Sequence, residues 1–138
     1  MAGVHNGPVP TRLSLLSDLG KYSPGSKVRF LGCVTGYSTK IATLTVEHNH
    51  PPGNALKAQV DVNLLITTLK SNETQIGEWV NVMGYITSSQ KQKVNGEDKV
   101  EIGVQALVLW SAGPFNLAGY ENSLDEKAAD EQKALKRS

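Results

Sequence analysis

Gly32 and Gly36 interrupt an alternating run from Lys27 to Thr39, and they narrow what this chain can fold into. Val28, Phe30, Gly32 and Val34 fall on one face by period-two counting, with Arg29, Leu31, Cys33 and Thr35 on the other. Glycine weakens a flat strand. It also permits the bulge or sharp coil by which a barrel strand passes from one sheet into the next. A long, glycine-bent first strand therefore points to a small closed barrel.

The remaining elements fall into order behind it. Leu13, Leu15, Leu16 and Leu19 precede it as a short apolar stretch, closed by the turn signal Ser23-Pro24-Gly25-Ser26. In a second strand, Ile41 to His48, Ala42, Leu44 and Val46 alternate with Thr43, Thr45 and Glu47. A loop holding Pro51-Pro52-Gly53 leads to a third strand, Lys57 to Val62, with Ala58, Val60 and Val62 inward. From Asn63 to Lys70 the period changes. Leu65 and Leu69 stand four apart and Asp61 or Asn63 can cap the start, so two helical turns are predicted despite the β-branched Ile66, Thr67 and Thr68. Glu78 to Ser88 is a fourth strand, with Val80, Val82, Gly84 and Ile86 inward and Trp79, Asn81, Met83 and Tyr85 outward. The loop Ser89 to Lys99 carries the hairpin signal Asn95-Gly96. In a fifth strand, Val100, Ile102, Val104, Ala106, Val108 and Trp110 are expected inward, and Leu107 and Leu109 outward.

Three strands, a short helix and two further strands is the order of the OB fold, an all-β, five-stranded Greek-key barrel plugged at one end by a helix. Residues 1–10 read as a flexible arm, 11–113 as the barrel, and 114–138 as a C-terminal α-helix. Its apolar stripe is Leu117, Tyr120, Leu124 and Ala128, continued by Leu135, with the last turns expected to fray. A narrow stripe of this kind can lie on its own barrel or on a partner helix.

Composition bears on function mainly by exclusion. At 138 residues the chain can bury a core without disulfides or metal. A formal charge of +1 rules out strong steering toward nucleic acid or an anionic membrane. Cys33 is the one cysteine, so no internal disulfide can form, which suits a reducing compartment; its place in the run predicts a buried small hydrophobe. No apolar run has membrane-spanning length, and Met1 to Pro10 lacks the core of an export signal. Motifs for a nucleophile elbow, phosphate loop, dinucleotide site or metalloprotease are missing, and no cofactor is expected. His48-Asn49-His50, followed by two prolines, reads as a solvent loop rather than a metal site, and Glu97, Asp98 and Glu101 as a solvated rim.

Two surfaces remain as candidates. OB barrels hold oligonucleotides across their second and third strands, between the loop after strand one and the loop between strands four and five. Tyr37, Lys40, Lys57, Lys91 and Lys93 are the candidates there, with Thr43, Thr45, Gln59 and Lys99 beside them. The lysines can neutralise phosphates, but stacking needs aromatic platforms and Tyr37 is the one offered, so single-strand binding by this chain alone is expected to be weak. The second surface is the outward side of strand four, where Met83 and Tyr85 stand in an apolar patch that a free barrel rarely leaves uncovered.

Several segments carry a resemblance more specific than strand order. They are Gly7-Pro8-Val9-Pro10, Lys27-Val28-Arg29-Phe30-Leu31-Gly32-Cys33-Val34, Tyr37-Ser38-Thr39-Lys40 and Val60-Asp61-Val62-Asn63-Leu64-Leu65. Gly77-Glu78-Trp79-Val80-Asn81-Val82-Met83-Gly84-Tyr85 and Val104-Gln105-Ala106-Leu107-Val108-Leu109-Trp110-Ser111-Ala112-Gly113 continue them. From about Asn6 to Ser123 the chain resembles the Ten subunits of the fungal CST telomere-capping complex. The resemblance implies a nuclear, non-catalytic protein at chromosome telomeres. It would pair with the Stn subunit much as the two smaller subunits of replication protein A pair, and work alongside the large CST subunit. The complex would protect the single-stranded telomeric overhang and support fill-in by DNA polymerase α–primase. Arg29, with Leu117, Tyr120, Leu124 and Ala128, becomes a candidate for the partner contact. The alternatives are the small subunit of replication protein A itself and, in another class, an OB-based hydrolase, for which the sequence offers no convincing acid or metal cluster.

Overall fold

A computed structural model describes residues 11–137, with side chains through Glu131. Residues 1–10, expected as a flexible arm, lie outside the described residues, and so does the side chain of Leu135 at the end of the helical stripe. The strands are β1 (Arg12–Leu13), β2 (Lys27–Ser38), β3 (Thr43–Glu47), β4 (Leu56–Asp61), β5 (Trp79–Val94) and β6 (Glu97–Ser111), followed by helix α1 (Leu117–Arg137). Sheet order is β1-β2-β3-β4-β6-β5, and β2 pairs with β5 to close it. The five barrel strands are thus β2 to β6, with β4 and β6 parallel and the other barrel pairs antiparallel. β1 is a sixth, two-residue strand running parallel to β2, beyond the five expected.

Alternation places the core as the sequence predicts through β2, β3, β4 and most of β5. Val28, Phe30, Val34, Leu44, Val46, Ala58, Val60, Val62, Val80, Val82 and Ile86 are all buried. The register of β2 against β3 slips between Val34 and Gly36, the bulge that the glycines anticipate. Gly32 answers a tighter demand. A Cβ there would overlap the Val46 side chain and press on Leu16. Leu16 and Leu19 come from a 3₁₀ turn over Leu16–Lys21 and are fully buried.

Two expectations change. The connector between β4 and β5 forms two 3₁₀ turns, Asn63–Leu65 and Ser71–Thr74, instead of two α-helical turns. The β-branched run Ile66-Thr67-Thr68 disfavours a continued α-helix, while Leu65 and Leu69 still pack on the core. The second change lies in β6. Its register against β5 shifts between Met83 and Gly84, leaving Leu107 as an extra residue. An extra residue turns every later side chain to the opposite face. Leu109 is therefore buried, and Val108 and Trp110, expected inward, stand outside.

The segment expected as a loop over Ser89–Lys99 is instead the end of a two-stranded ribbon. Strands β5 and β6 pair out to Val94 and Glu97. Asn95 and Gly96 close it with φ of 54° and 80°, the left-handed pair that a two-residue hairpin turn requires.

Candidate functional site

Helix α1 lies on its own barrel. Leu124 is 8% exposed, Leu117 and Tyr120 are half-buried, and Ala128 is exposed. Leu31, on the outward side of β2, retains 2% exposure. The Tyr120 phenol comes close to the Leu31 backbone without closing a well-formed hydrogen bond, and its oxygen is buried without a partner. Burial pushes the phenol above its ordinary pKa, opposed by the Leu31 backbone and the Arg29 charge.

What fastens the helix is a pair of histidines that the sequence places in a solvent loop. His48 is 3% exposed, and its Nε2 lies 2.7 Å from Glu121 Oε2 on the helix. His50 Nδ1 is 3.6 Å from Glu121 Oε1, and its Nε2 is 3.1 Å from Asp125 Oδ2. The two imidazoles stack at 5.9 Å, and Trp79 meets His48 edge-on at 5.3 Å. Phe115, just before the helix, covers Trp79 from another side at 5.9 Å. Glu121 and Asp125 are one helical turn apart, and just past the end of β3 a tight turn, in which the His50 N–H donates to the His48 carbonyl at 2.8 Å, brings the two imidazoles side by side to meet them. Sequence reasoning missed this contact because its halves lie 73 residues apart. The i,i+4 carboxylates on α1 were its only local signal.

Beyond the helix, no other element among the described residues covers the outer face of β2, β5 and β6, which Thr11 borders at Met83. Register sets Arg29 beside Met83 and Met83 beside Val108, with Asn81 beside Trp110 in the next row and Tyr85 beside Lys27 on the other side. Arg29 spreads its guanidinium over the Trp110 ring, 5.1 Å from the centroid. Val108 is 43% exposed; Met83, Tyr85 and Trp110 are half-exposed. The β6 bulge is what delivers Val108 and Trp110 to this patch.

The lysines stand elsewhere. Lys40 is exposed in the turn between β2 and β3, and Lys91 and Lys93 are exposed on the ribbon. Lys57, on β4, lies across from Glu101. None of the four has an ion-pair partner among the described residues. Tyr37 follows the β2 bulge, stands opposite the fully buried Leu44, and packs against the core. The outer side of β3 and β4 thus presents Thr43, Thr45, Lys57 and Gln59 without a stacked aromatic, and Thr45 donates to Gln59 at 3.0 Å.

The barrel closed between β2 and β5, with its C-terminal helix, defines a small OB-fold protein. The sequence matches the family described as Ten1, telomere capping, CST complex subunit, over residues 1–125. The chain belongs to that family, whose members are not enzymes. A chain of the S. pombe Stn1–Ten1 complex superposes with a TM-score of 0.63 at 24% identity, covering 89% of this chain and 96% of that one. The crystal structure of telomere capping protein Ten1 from S. pombe gives 0.63 at 22% identity, covering 87% and 99%. At these identities the likeness concerns the fold. The Entamoeba histolytica asparaginyl-tRNA synthetase shares it too, at a TM-score of 0.52 and 12% identity, over 80% of this chain and 25% of that enzyme. No curated protein matches the sequence significantly.

Proposed function

We propose that this chain is the small subunit of a nuclear telomere-capping complex and acts by pairing with an Stn-type OB subunit. In that reading the pair, with the large CST subunit, protects the single-stranded overhang and supports fill-in by polymerase α–primase. The observation that carries the pairing is the patch of Arg29, Met83, Tyr85, Val108 and Trp110 beside a docked α1, which no other element among the described residues covers. An apolar face rimmed by charge is the usual mark of a protein contact. Leu117, Tyr120, Leu124 and Ala128 join the interface in this reading, with Leu124 acting through the position of the helix because its own side chain is already covered.

DNA contact is secondary. Lys40, Lys57, Lys91 and Lys93 neutralise phosphates along the β3–β4 flank and the ribbon, while Tyr37, turned to the core, adds little stacking. Co-purification with the Stn subunit tests the pairing. Wild type is expected to recover it, and Met83→Glu to lose it while keeping its fold. Recovery of replication protein A in place of the Stn subunit would overturn the reading.

A further inference from the structure

Between α1 and the ends of β2 and β3 lies an open cleft of about 310 Å³. Trp79, Leu117 and Cys33 form apolar walls, while Glu47, Glu121 and His48 supply its polar groups. Glu121 is engaged by His48, but Glu47 has no ion-pair partner among the described residues. Among the described residues, no lysine or arginine lines the space. An apolar trough with one unneutralised carboxylate is complementary to a side chain that is greasy along its stem and cationic at its tip.

We propose that this cleft receives one arginine or lysine side chain from the partner protein, its stem along Trp79 and Leu117 and its charge at Glu47. Arginine fits better than lysine, because a planar guanidinium can stack on the indole while it engages the carboxylate. The Cys33 thiol senses the same negative field. It is pushed above its ordinary pKa by burial first, then by Glu47 and Glu78, against an opposing hydrogen bond with the Gly77 backbone. A metal ion is the poorer occupant, since no three His, Cys, Asp or Glu side chains are grouped to hold one among the described residues. A phosphate backbone would be repelled by Glu47. The inference rests on the reading that the chain works by pairing with a protein, and it adds a contact outside the Arg29–Trp110 patch.

The test is an NMR titration of the full chain with N-acetyl-arginine amide, against the neutral N-acetyl-glutamine amide. The arginine probe is expected to shift the Trp79 indole N–H and the amides around Cys33 and Glu47, saturably, with at least fivefold weaker binding in Glu47→Gln. Thr35→Arg places a tethered guanidinium at the same cleft and is expected to abolish the response. Equal shifts with the neutral probe, or no change in Glu47→Gln, would overturn the proposal. So would a higher affinity of the cleft for oligothymidylate than for the arginine probe. None of these readouts needs the partner, so failure of Stn pairing is scored separately. With the partner present, Glu47→Lys is expected to weaken the complex at least tenfold, and an unchanged affinity would sink the assignment to a partner side chain.

Discussion

The Arg29 guanidinium reaches across β5 to lie over Trp110, linking two strands that do not pair with each other. A cation over an exposed aromatic contributes about 0.5–1 kcal/mol. Within the free chain the contact is therefore a minor stabiliser, and its larger effect is to hold both groups flat against an uncovered apolar face. Trp110→Ala and Arg29→Gln are each expected to change the urea-unfolding free energy by about 1 kcal/mol or less. Truncating an aromatic or arginine at the centre of an interface often costs 2 kcal/mol or more, so the same variants are expected to weaken the partner complex by roughly thirtyfold. Calorimetric titration with the Stn subunit checks the second figure.

The histidine clip makes a separate prediction. Replacing Glu121 with Gln or Ala leaves the buried His48 without its charged partner, at a cost of about 1–3 kcal/mol. That cost falls on the docking of α1 rather than on the barrel, which owes its core to other residues. Hydrogen exchange should show faster exchange across α1 in Glu121→Ala, with barrel amides unchanged and an altered Trp79 fluorescence.

Leu124 supplies the apolar half of the same docking. Leu124→Ala removes a nearly buried side chain, and losses of about 2–5 kcal/mol are typical where the site cannot collapse. A helix lying on a surface can settle, so the lower end is expected, again seen as lost protection in α1. In Leu124→Ala/Glu121→Ala the two losses should be non-additive, because both release the same helix.

Alkaline titration isolates Tyr120. Its folded pKa is raised by burial above the ordinary tyrosine value of about 10, while the unfolded chain ionises at the ordinary value. The folded state keeps its proton longer. Tyr120 thus contributes stability that is intact below about pH 10 and lost as the pH climbs through the folded pKa. Phenolate absorbance should show a late-titrating component that Tyr120→Phe removes, while flattening the alkaline fall in stability.

Gly84 tests the bulge. A Cβ at this position would run into the backbone carbonyl of Gln105, which cannot swing aside as a side chain can. Gly84→Ala is expected to lower stability by at least about 1–3 kcal/mol and to disturb the placement of Val108 and Trp110. Urea unfolding and the Trp110 emission spectrum report the two effects.

Most of the barrel is legible in the sequence because a half-buried strand writes its orientation into every second residue. Val28 to Val34, Leu44 and Val46, Ala58 to Val62, and Val80 to Ile86 declare their inner faces this way. That rule breaks where one residue is inserted without any change of composition. Leu107 looks like its neighbours, and only the register against β5 shows that Val108 and Trp110 have changed sides. His48 was unreadable for another reason. Its cover comes from Trp79, Tyr120 and Glu121, all distant in sequence, and nothing local to the His-Asn-His-Pro-Pro segment distinguishes a covered imidazole from a solvated one. Tyr37 turns toward the core for the same reason that Val108 turns out, since it follows a bulge whose position between Val34 and Gly36 can be narrowed but not set from glycines alone.

The pairing order has a consequence during synthesis. β2 finds one long neighbour only in β5, and β4 finds its second neighbour only in β6. A nascent chain that has emerged as far as Asp61 holds a three-stranded meander with both long edges bare, and it cannot close fully until β6 has emerged at least through Gln105. Such closure is governed by distant contacts and is slow compared with local helix formation. Unpaired edges exposed over that interval invite intermolecular strand addition. Truncations that remove β6 should therefore be recovered as aggregates and not as shortened barrels.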